Sequence, residues 1–431
     1  MILLHELERL EREGRRIRVA IAGTGQMGTD LVCQITTMKG MVPSVVAELD
    51  FERARKAFLR AGVSEQMIEQ CNSLGDVEDA IRRGKSVIVE DISLLSRIES
   101  VDVVVDATGI PEVGARLAWE CILGAKHIVM LNVEADVTVG AILNHLAEKT
   151  SVVYTGSAGD EPAATLELVQ FAQTLGFEVV AAGKGKNNPL DRSATPVSLK
   201  ATADAQEMGA KMLTSFVDGT KTMVEMTALS NATGLVPDLP GMHGPTVKDF
   251  HELARVFGTA DEGGVLSRRG VVDYALGNVA PGVFVVFRAN SERVEKSLQY
   301  SKMGPGPNHV LYRPYHLISL ETPLSVARAY LAHETTIVTA KEPVSETTAI
   351  AKRDLRKGEI IDGIGGECVY GSIDTVDGAR NQGCVPIGLV ARARVKRDIS
   401  AHELLTYDMI EIDTTSTIYH LRKLQEDYFR R

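Results

Sequence analysis

Between Gly183 and Pro196 the chain reads Gly-Lys-Gly-Lys-Asn-Asn-Pro-Leu-Asp-Arg-Ser-Ala-Thr-Pro, a polar, glycine-punctuated stretch after a strand-like segment at 178–182. Lys184 and Lys186 beside Asn187 and Asn188 are donors of the kind that hold an anionic substrate and polarise a carbonyl or hydroxyl oxygen. An exposed turn with solvated lysines is the plainer alternative. Two carboxylates could manage protons nearby. Glu161, in Gly159-Asp160-Glu161-Pro162, opens a helix running to about Thr174, where it either caps or faces a cleft. Glu225 sits among apolar neighbours in Thr222-Met223-Val224-Glu225-Met226, so it needs a raised pKa or a partner, Lys211 or Lys221 being the structural choice. His243, between Met242 and Gly244-Pro245, is either a donor to substrate or a structural histidine.

Other chemistries find less support. Neither His251-Glu252 nor His333-Glu334 is followed by a second histidine at helical spacing, so the zinc-protease pattern is missing. Cys33, Cys71, Cys121, Cys368 and Cys384 form no Cys-x-x-Cys pair, which argues against a disulfide framework or a thiolate metal site. Paired carboxylates could still hold a divalent cation, without a defined ligand set.

The strongest motif lies near the start. An apolar strand, 17–22, leads into Gly23-Thr24-Gly25-Gln26-Met27-Gly28 and then an amphipathic helix toward Met38. Gly23 permits the tight turn, Gly25 lets backbone amides approach a pyrophosphate, and Gly28 lets the helix pack on the strand. A second strand ends in Glu48 and Asp50; Asp50 stands where a ribose-binding acid belongs, and Glu48 reads as solvated charge. Asp50 favours NAD, whereas Arg53 and Arg55 could accommodate NADP. Thr108-Gly109, after the strand 101–107, should line the nicotinamide side, and Asn132, with Glu134, sits at the end of the strand 127–131 where doubly wound sheets bind ligands.

These elements imply an α/β chain with an N-terminal Rossmann doubly wound sheet over 1–155, a central α+β catalytic domain over 156–342 and a C-terminal β module over 343–431, with the helix near 323–333 packing back on the first domain. The module carries an internal echo: Lys352-Arg353-Asp354-Leu355 with Glu359 repeats as Lys396-Arg397-Asp398-Ile399 with Glu403. At 431 residues, 44% apolar and with net charge −10, the chain lacks the basic footprint of a nucleic-acid binder and the apolar run of a membrane span. Residues 1–16 are rich in Glu and Arg, with Leu3, Leu7 and Leu10 at helical spacing, unlike a signal peptide; a cytoplasmic protein with a small-molecule substrate is expected.

The stretches Gly159–Pro162, Gly183–Pro189, Thr222–Gly234, Gly241–Pro245, Arg313-Pro314-Tyr315-His316-Leu317 and the Lys-Arg-Asp-Leu repeat resemble the homoserine-dehydrogenase-like oxidoreductases with a C-terminal SAF domain, the group that includes the deoxyxylulose-phosphate reductoisomerase-like enzymes. The resemblance implies a catalytic domain with its cleft facing the nicotinamide, an SAF module of β-clip type, and a homodimer or homotetramer. It also implies NADPH, a divalent cation (Mg or Mn), and conversion of 1-deoxy-D-xylulose 5-phosphate to 2-C-methyl-D-erythritol 4-phosphate, a step of isoprenoid biosynthesis. Homoserine dehydrogenases carry Asn-Lys where this chain has Asn132-Val133, so Lys184 or Lys186 must supply that charge. The expected function is an NAD(P)-dependent reductase or reductoisomerase acting on a small phosphorylated or polyhydroxylated carbonyl compound. The alternatives are a homoserine-type amino-acid or hydroxy-acid dehydrogenase, and a nicotinamide- or carbohydrate-sensing binding protein.

Overall fold

Seven segments, buried for the most part except the edge strand Ile68–Gln70, pair side by side, all parallel, in the computed structural model of the chain. They are β1 (Ile17–Ala22), β2 (Met41–Ala47), β3 (Ile68–Gln70), β4 (Ser86–Val89), β5 (Val103–Asp106), β6 (His127–Met130) and β7 (Tyr154–Gly156), in the order β3-β4-β2-β1-β5-β6-β7. Buried on both faces, such strands need no polar alternation, and the reversal of direction beside β1 places the switch point of a doubly wound sheet at the glycine turn. The structure describes residues 3–206 and 208–430; Met1 and Ile2, which head the expected N-terminal helix, Glu207 and Arg431 lie outside them.

The chain divides into two compact units. The first comprises Met1–Asp160, Leu317–Val338 and Ser416–Arg431. Its core joins Val19, Ile21, Leu31, Phe58, Val105 and Val129 to Val326 and Ala327 of the helix Ile318–Ala332. The last helix, Thr417–Tyr428, is held by Glu112, whose carboxylate accepts the Thr417 and Ile418 N–H groups at 3.0 and 2.8 Å, and by Gln425, which accepts the Ile142 N–H and donates to the Thr138 carbonyl. Glu112 thus satisfies two N–H groups that a helix start would otherwise leave open, and Gln425 bonds into the middle of the helix Val133–Lys149. No helix among the described residues is long and apolar enough to cross a membrane.

The second unit, Glu161–His316 with Thr339–Thr415, is built on β8 (Glu178–Lys186), a central strand between β11 (Val271–Gly277, parallel) and β12 (Val283–Arg288, antiparallel); β9 (Val236–Pro237), β10 (Thr246–Val247) and β13 (His309–Arg313) complete the sheet. Here the structure corrects the expected end of the strand at residue 182. Pairing continues to Leu276↔Lys186, so both lysines lie on the strand and not in a loop. Its glycines serve packing: a Cβ at Gly183 would stand 1.7 Å from the Asp273 carbonyl oxygen and one at Gly185 2.3 Å from that of Val279. The other face of the strand therefore carries the alternating residues Lys184 and Lys186 together.

The β module belongs to this second unit. Its hairpin, β14 (Ser345–Ala351) with β15 (Val369–Thr375), docks on the helix Thr220–Thr233, and β16 (Arg394–Val395) pairs with β17 (Ile410–Glu411). Thr227 meets Thr347 at 2.8 Å, Ser230 meets Ser345 at 2.6 Å, Asn231 Oδ1 accepts the Val344 and Ser345 N–H groups, and Thr220 Oγ1 accepts the Gly371 N–H. Small polar residues let the module approach closely while pairing these hydroxyls and N–H groups. The internal repeat is a two-fold device: Asp354 accepts the Ala401 N–H, Asp398 accepts the Lys357 N–H, both at 2.8 Å, and Leu355 bridges Ile399. Arg353 pairs with Glu359 as Arg397 pairs with Glu403.

In the first unit, a Cβ at Gly28 would lie 2.0 Å from the Gly23 carbonyl oxygen. Gly28→Val should therefore lower the urea midpoint of the purified protein, by about 1–3 kcal/mol of overpacking strain, whereas Gly25→Ala, with nothing within 4 Å of its Cβ, should leave it nearly unchanged.

Candidate active site

At the glycine turn the structure offers room and donors. The helix Gln26–Thr37 begins at Gly25 with no side-chain cap, so its first amides point outward as anion donors; Gln26 and Met27 form its first turn. A Cβ at Gly25 or Gly109 would meet nothing within 4 Å, as expected where a ligand passes close to the backbone. Asp50 caps the helix Phe51–Arg60 by accepting the Arg53 N–H. Glu48, read from the sequence as solvated charge, is the acid that touches the turn: its carboxylate accepts the Thr24 N–H at 2.9 Å and hydroxyl at 2.8 Å. Burial would raise its pKa, but these bonds outweigh burial and hold it below the usual carboxylate range.

Thr108 and Asn132 face inward. Thr108 donates its N–H and hydroxyl to Asp106 at 2.9 and 2.6 Å. Asn132, fully buried, donates to Asp106 and to the Ile110 carbonyl, both at 3.0 Å, and accepts the Ala135 N–H. Its amide is committed to shaping the loop after β5 and its oxygen caps the helix Val133–Lys149. Burial raises the pKa of Asp106 despite these bonds.

In the second unit, Lys184 and Lys186 enter a cavity of about 480 Å³ also lined by Glu161, Asn187, Asn188, Thr222 and His316, with Leu213 and Phe216 on an apolar wall. Lys184 donates to Glu161 Oε1 at 2.5 Å and to Glu225 Oε2. Lys221, as the sequence allowed, approaches Glu225 at 3.8 Å, and Lys211 does not, donating instead to the Asp362 carbonyl. Burial alone would lower the Lys184 pKa, yet the two carboxylates outweigh it and raise it. Glu225 is pushed up by burial and by Glu161. Lys186 behaves differently: burial and then the neighbouring Lys184 charge bring it down to about 8, with Asp218 and Glu225 opposing. Its ammonium donates to Asn188 Oδ1 at 3.0 Å and to the Phe216 carbonyl at 2.7 Å.

His243 is outside this cavity lining. Its Nε2 pairs with Asp238 at 2.9 Å, and its N–H with that of Gly244 pins the loop to the Asp273 carboxylate; burial carries that carboxyl to about 6. The structural alternative for this histidine fits the geometry. His316 was not singled out as a site residue from the sequence; its Nε2 stands 3.2 Å from Glu161 Oε1. The only signal was its place in Arg-Pro-Tyr-His-Leu, since a long separation along the chain hides its nearness to Glu161. Among the cysteines, Cys33 is partly exposed, the rest are buried, and none is bonded to another.

A parallel sheet with a glycine turn at its switch point, together with a buried lysine–carboxylate cavity, defines an NAD(P)-dependent oxidoreductase. Residues 159–322 match the family model described as "Oxidoreductase DRL, catalytic domain", and residues 346–411 match the SAF domain. The DRL-type catalytic domain followed by an SAF domain is thus present as the resemblance implied. No curated protein matches the sequence. Solved structures similar to the chain include a mutant of KijD10, a 3-ketoreductase from Actinomadura kijaniata, at 15% identity over 41% of this chain and 50% of that one, TM-score 0.29. Biliverdin reductase from Synechocystis is similar at 17% identity over 41% and 49%, TM-score 0.28; the chain spans about half the length of these two. A protein described as a probable dehydrogenase from Thermotoga maritima is similar at 12% identity over 95% and 87%, TM-score 0.35.

Lys184→Met removes the cation from two buried carboxylates and should cost about 3–5 kcal/mol of stability at pH 7. A buried carboxyl whose folded pKa is raised, as that of Glu225 is, favours the folded state at low pH and loses that contribution as pH rises. The deficit against wild type in urea unfolding should accordingly shrink between pH 7 and pH 5.

Proposed function

We propose that the protein reduces the carbonyl group of a small phosphorylated or polyhydroxylated compound, or runs the reverse oxidation, and that its physiological form is the conversion of 1-deoxy-D-xylulose 5-phosphate to 2-C-methyl-D-erythritol 4-phosphate. The observation that carries this reading is Lys186, a cavity-lining ammonium brought to about 8, where a proton is held and released near neutral pH. A nicotinamide bound at the glycine turn supplies or accepts the hydride. The chain's own residues do the rest: as negative charge develops on the carbonyl oxygen, Lys186 gives that oxygen a proton and becomes the neutral amine. Lys184 stays charged between its carboxylates and lowers the cost of the amine form by repulsion. Asn187 and Asn188 offer amide donors to the substrate's oxygens. In a reductoisomerase, the same ammonium would stabilise the enolate that forms before reduction.

Glu161 and Glu225 belong to a group of carboxylates whose oxygens lie within 4.8 Å of one another, close enough to hold a metal ion, but in competition with Lys184. Glu161 and Glu225 already share the Lys184 ammonium, so a metal between them would have to displace a buried, paired charge. On the first unit, Glu48 is held ionised beside the glycine turn, which opposes a ribose phosphate and supports NAD(H), against the NADPH that the resemblance implies.

The reading is tested by oxidation of NADH and NADPH with 1-deoxy-D-xylulose 5-phosphate, with and without manganese, beside homoserine oxidation. Turnover of the sugar phosphate supports it. Homoserine oxidation would install the amino-acid dehydrogenase instead, and silence on both with dinucleotide still bound would leave a sensor or another carbonyl substrate. Lys186→Met should lower kcat about 10²–10⁴-fold. In the wild type the reductive rate needs the ammonium and should fall as pH rises through about 8, while the oxidative rate, needing the amine, rises over the same range. NADH should bind more tightly than NADPH in fluorescence titration, and Glu48→Gln should narrow that gap about tenfold, roughly 1.4 kcal/mol.

A further inference from the structure

The two repeats of the SAF module both open on Lys-Arg-Asp, yet their first lysines stand in different surroundings. Lys396 is exposed and donates to the Tyr407 carbonyl at 3.2 Å. Lys352 is buried and leaves the module: its ammonium meets Asp218 Oδ2 at 2.7 Å, the Ala194 carbonyl at 2.8 Å and the Gly366 carbonyl at 2.7 Å. Two carbonyls accept its hydrogen bonds and the Asp218 carboxylate answers its charge. The fold of the repeat does not demand this burial, because the second copy does without it.

The acceptors that Lys352 gathers support the cavity. Asp218 follows the helix Ala210–Val217 and accepts the Thr220 N–H at 2.8 Å, at the start of the helix that carries Glu225. Two residues before it, the Phe216 carbonyl accepts the Lys186 ammonium, and Phe216 and Val217 line the cavity. Ala194 belongs to the loop that continues from Asn187 and Asn188. A single side chain thus ties the SAF module to two segments that bound the cavity.

We propose that Lys352 is a positioning residue for Lys186, acting through Asp218: it fixes the turn 216–220 that receives the Lys186 ammonium and offsets the charge that Asp218 turns toward it. This rests on the reading of Lys186 as the proton-holding group. The charged groups facing Lys186 are Lys184 on its own strand, Asp218 on the turn and Glu225 on the helix, with Glu161 and His316 lining the same cavity. Lys352 stands behind Asp218. Removing it leaves Asp218 uncompensated, which favours the charged form of Lys186; removing the Asp218 charge instead disfavours that form.

The test reads Lys186 directly, without a substrate. The full-length protein is arylated with 1-fluoro-2,4-dinitrobenzene across pH 6–11, and the rate at Lys186 is followed by peptide mass spectrometry. Wild type should give a midpoint near 8. Lys352→Met should raise it by about one pH unit, Asp218→Asn should lower it, and Lys396→Met should leave it in place. A loss of stability alone would not move the midpoint in opposite directions, and whichever of the first two variants folds, as judged by circular dichroism, carries the test. A wild-type midpoint in the ordinary lysine range would overturn the Lys186 reading itself. A midpoint near 8 that neither variant moves would overturn the role of Lys352 while leaving Lys186 standing.

Discussion

An ammonium withdrawn from water needs its charge answered, and for Lys184 two carboxylates give the answer from two different helices. Glu161 comes from the first turn of the helix Glu161–Thr174 and Glu225 from the middle of Thr220–Thr233, while the lysine itself stands on the central strand of the sheet. A buried pair of this kind adds little net stability over an apolar replacement, but losing one partner is costly. The arrangement therefore ties both helices to the central strand through one ammonium.

The same charge shapes the chemistry. Lys184 is locked in its charged form, and its field, added to burial, is what makes the neighbouring Lys186 labile. Two lysines of identical type, two residues apart on one strand, are thus given opposite properties by their partners. The carboxylates belong to the first lysine, and the second has a carbonyl and an amide oxygen, which accept hydrogen bonds without fixing a full charge. The alternating glycines let neighbouring backbone close over the other face of the strand.

The SAF module extends this logic. Its docking face is a row of hydroxyl and amide contacts to the helix that bears Glu225. Hydrogen bonds of this kind are directional and hold a defined register. The duplicated Lys-Arg-Asp segment gives the module its own two-fold framework through Asp354 and Asp398, so one lysine of the pair could be diverted to Asp218 and Ala194 without unmaking the module.

Local signals carried much of this protein. The glycine turn was legible because strand, turn and helix follow one another within 22 residues, and Gly23 and Gly28 answer steric demands there while Gly25 leaves open space beside the backbone. Lys184, Lys186, Glu161 and Glu225 were visible as ionisable residues in apolar or glycine-rich surroundings, and the repeat as a written duplication. What the sequence left open were the partnerships. Glu48 and Asp50 are both acids at one strand end, and only the path of the turn decides that Glu48 touches it while Asp50 caps a helix. Lys184 could have paired with any carboxylate, His316 lies far from Glu161 along the chain, and Lys352 and Lys396 stand in equivalent sequence. Burial and proximity are properties of packed elements, and these alone set which lysine is locked, which is labile, and which reaches out of its own module.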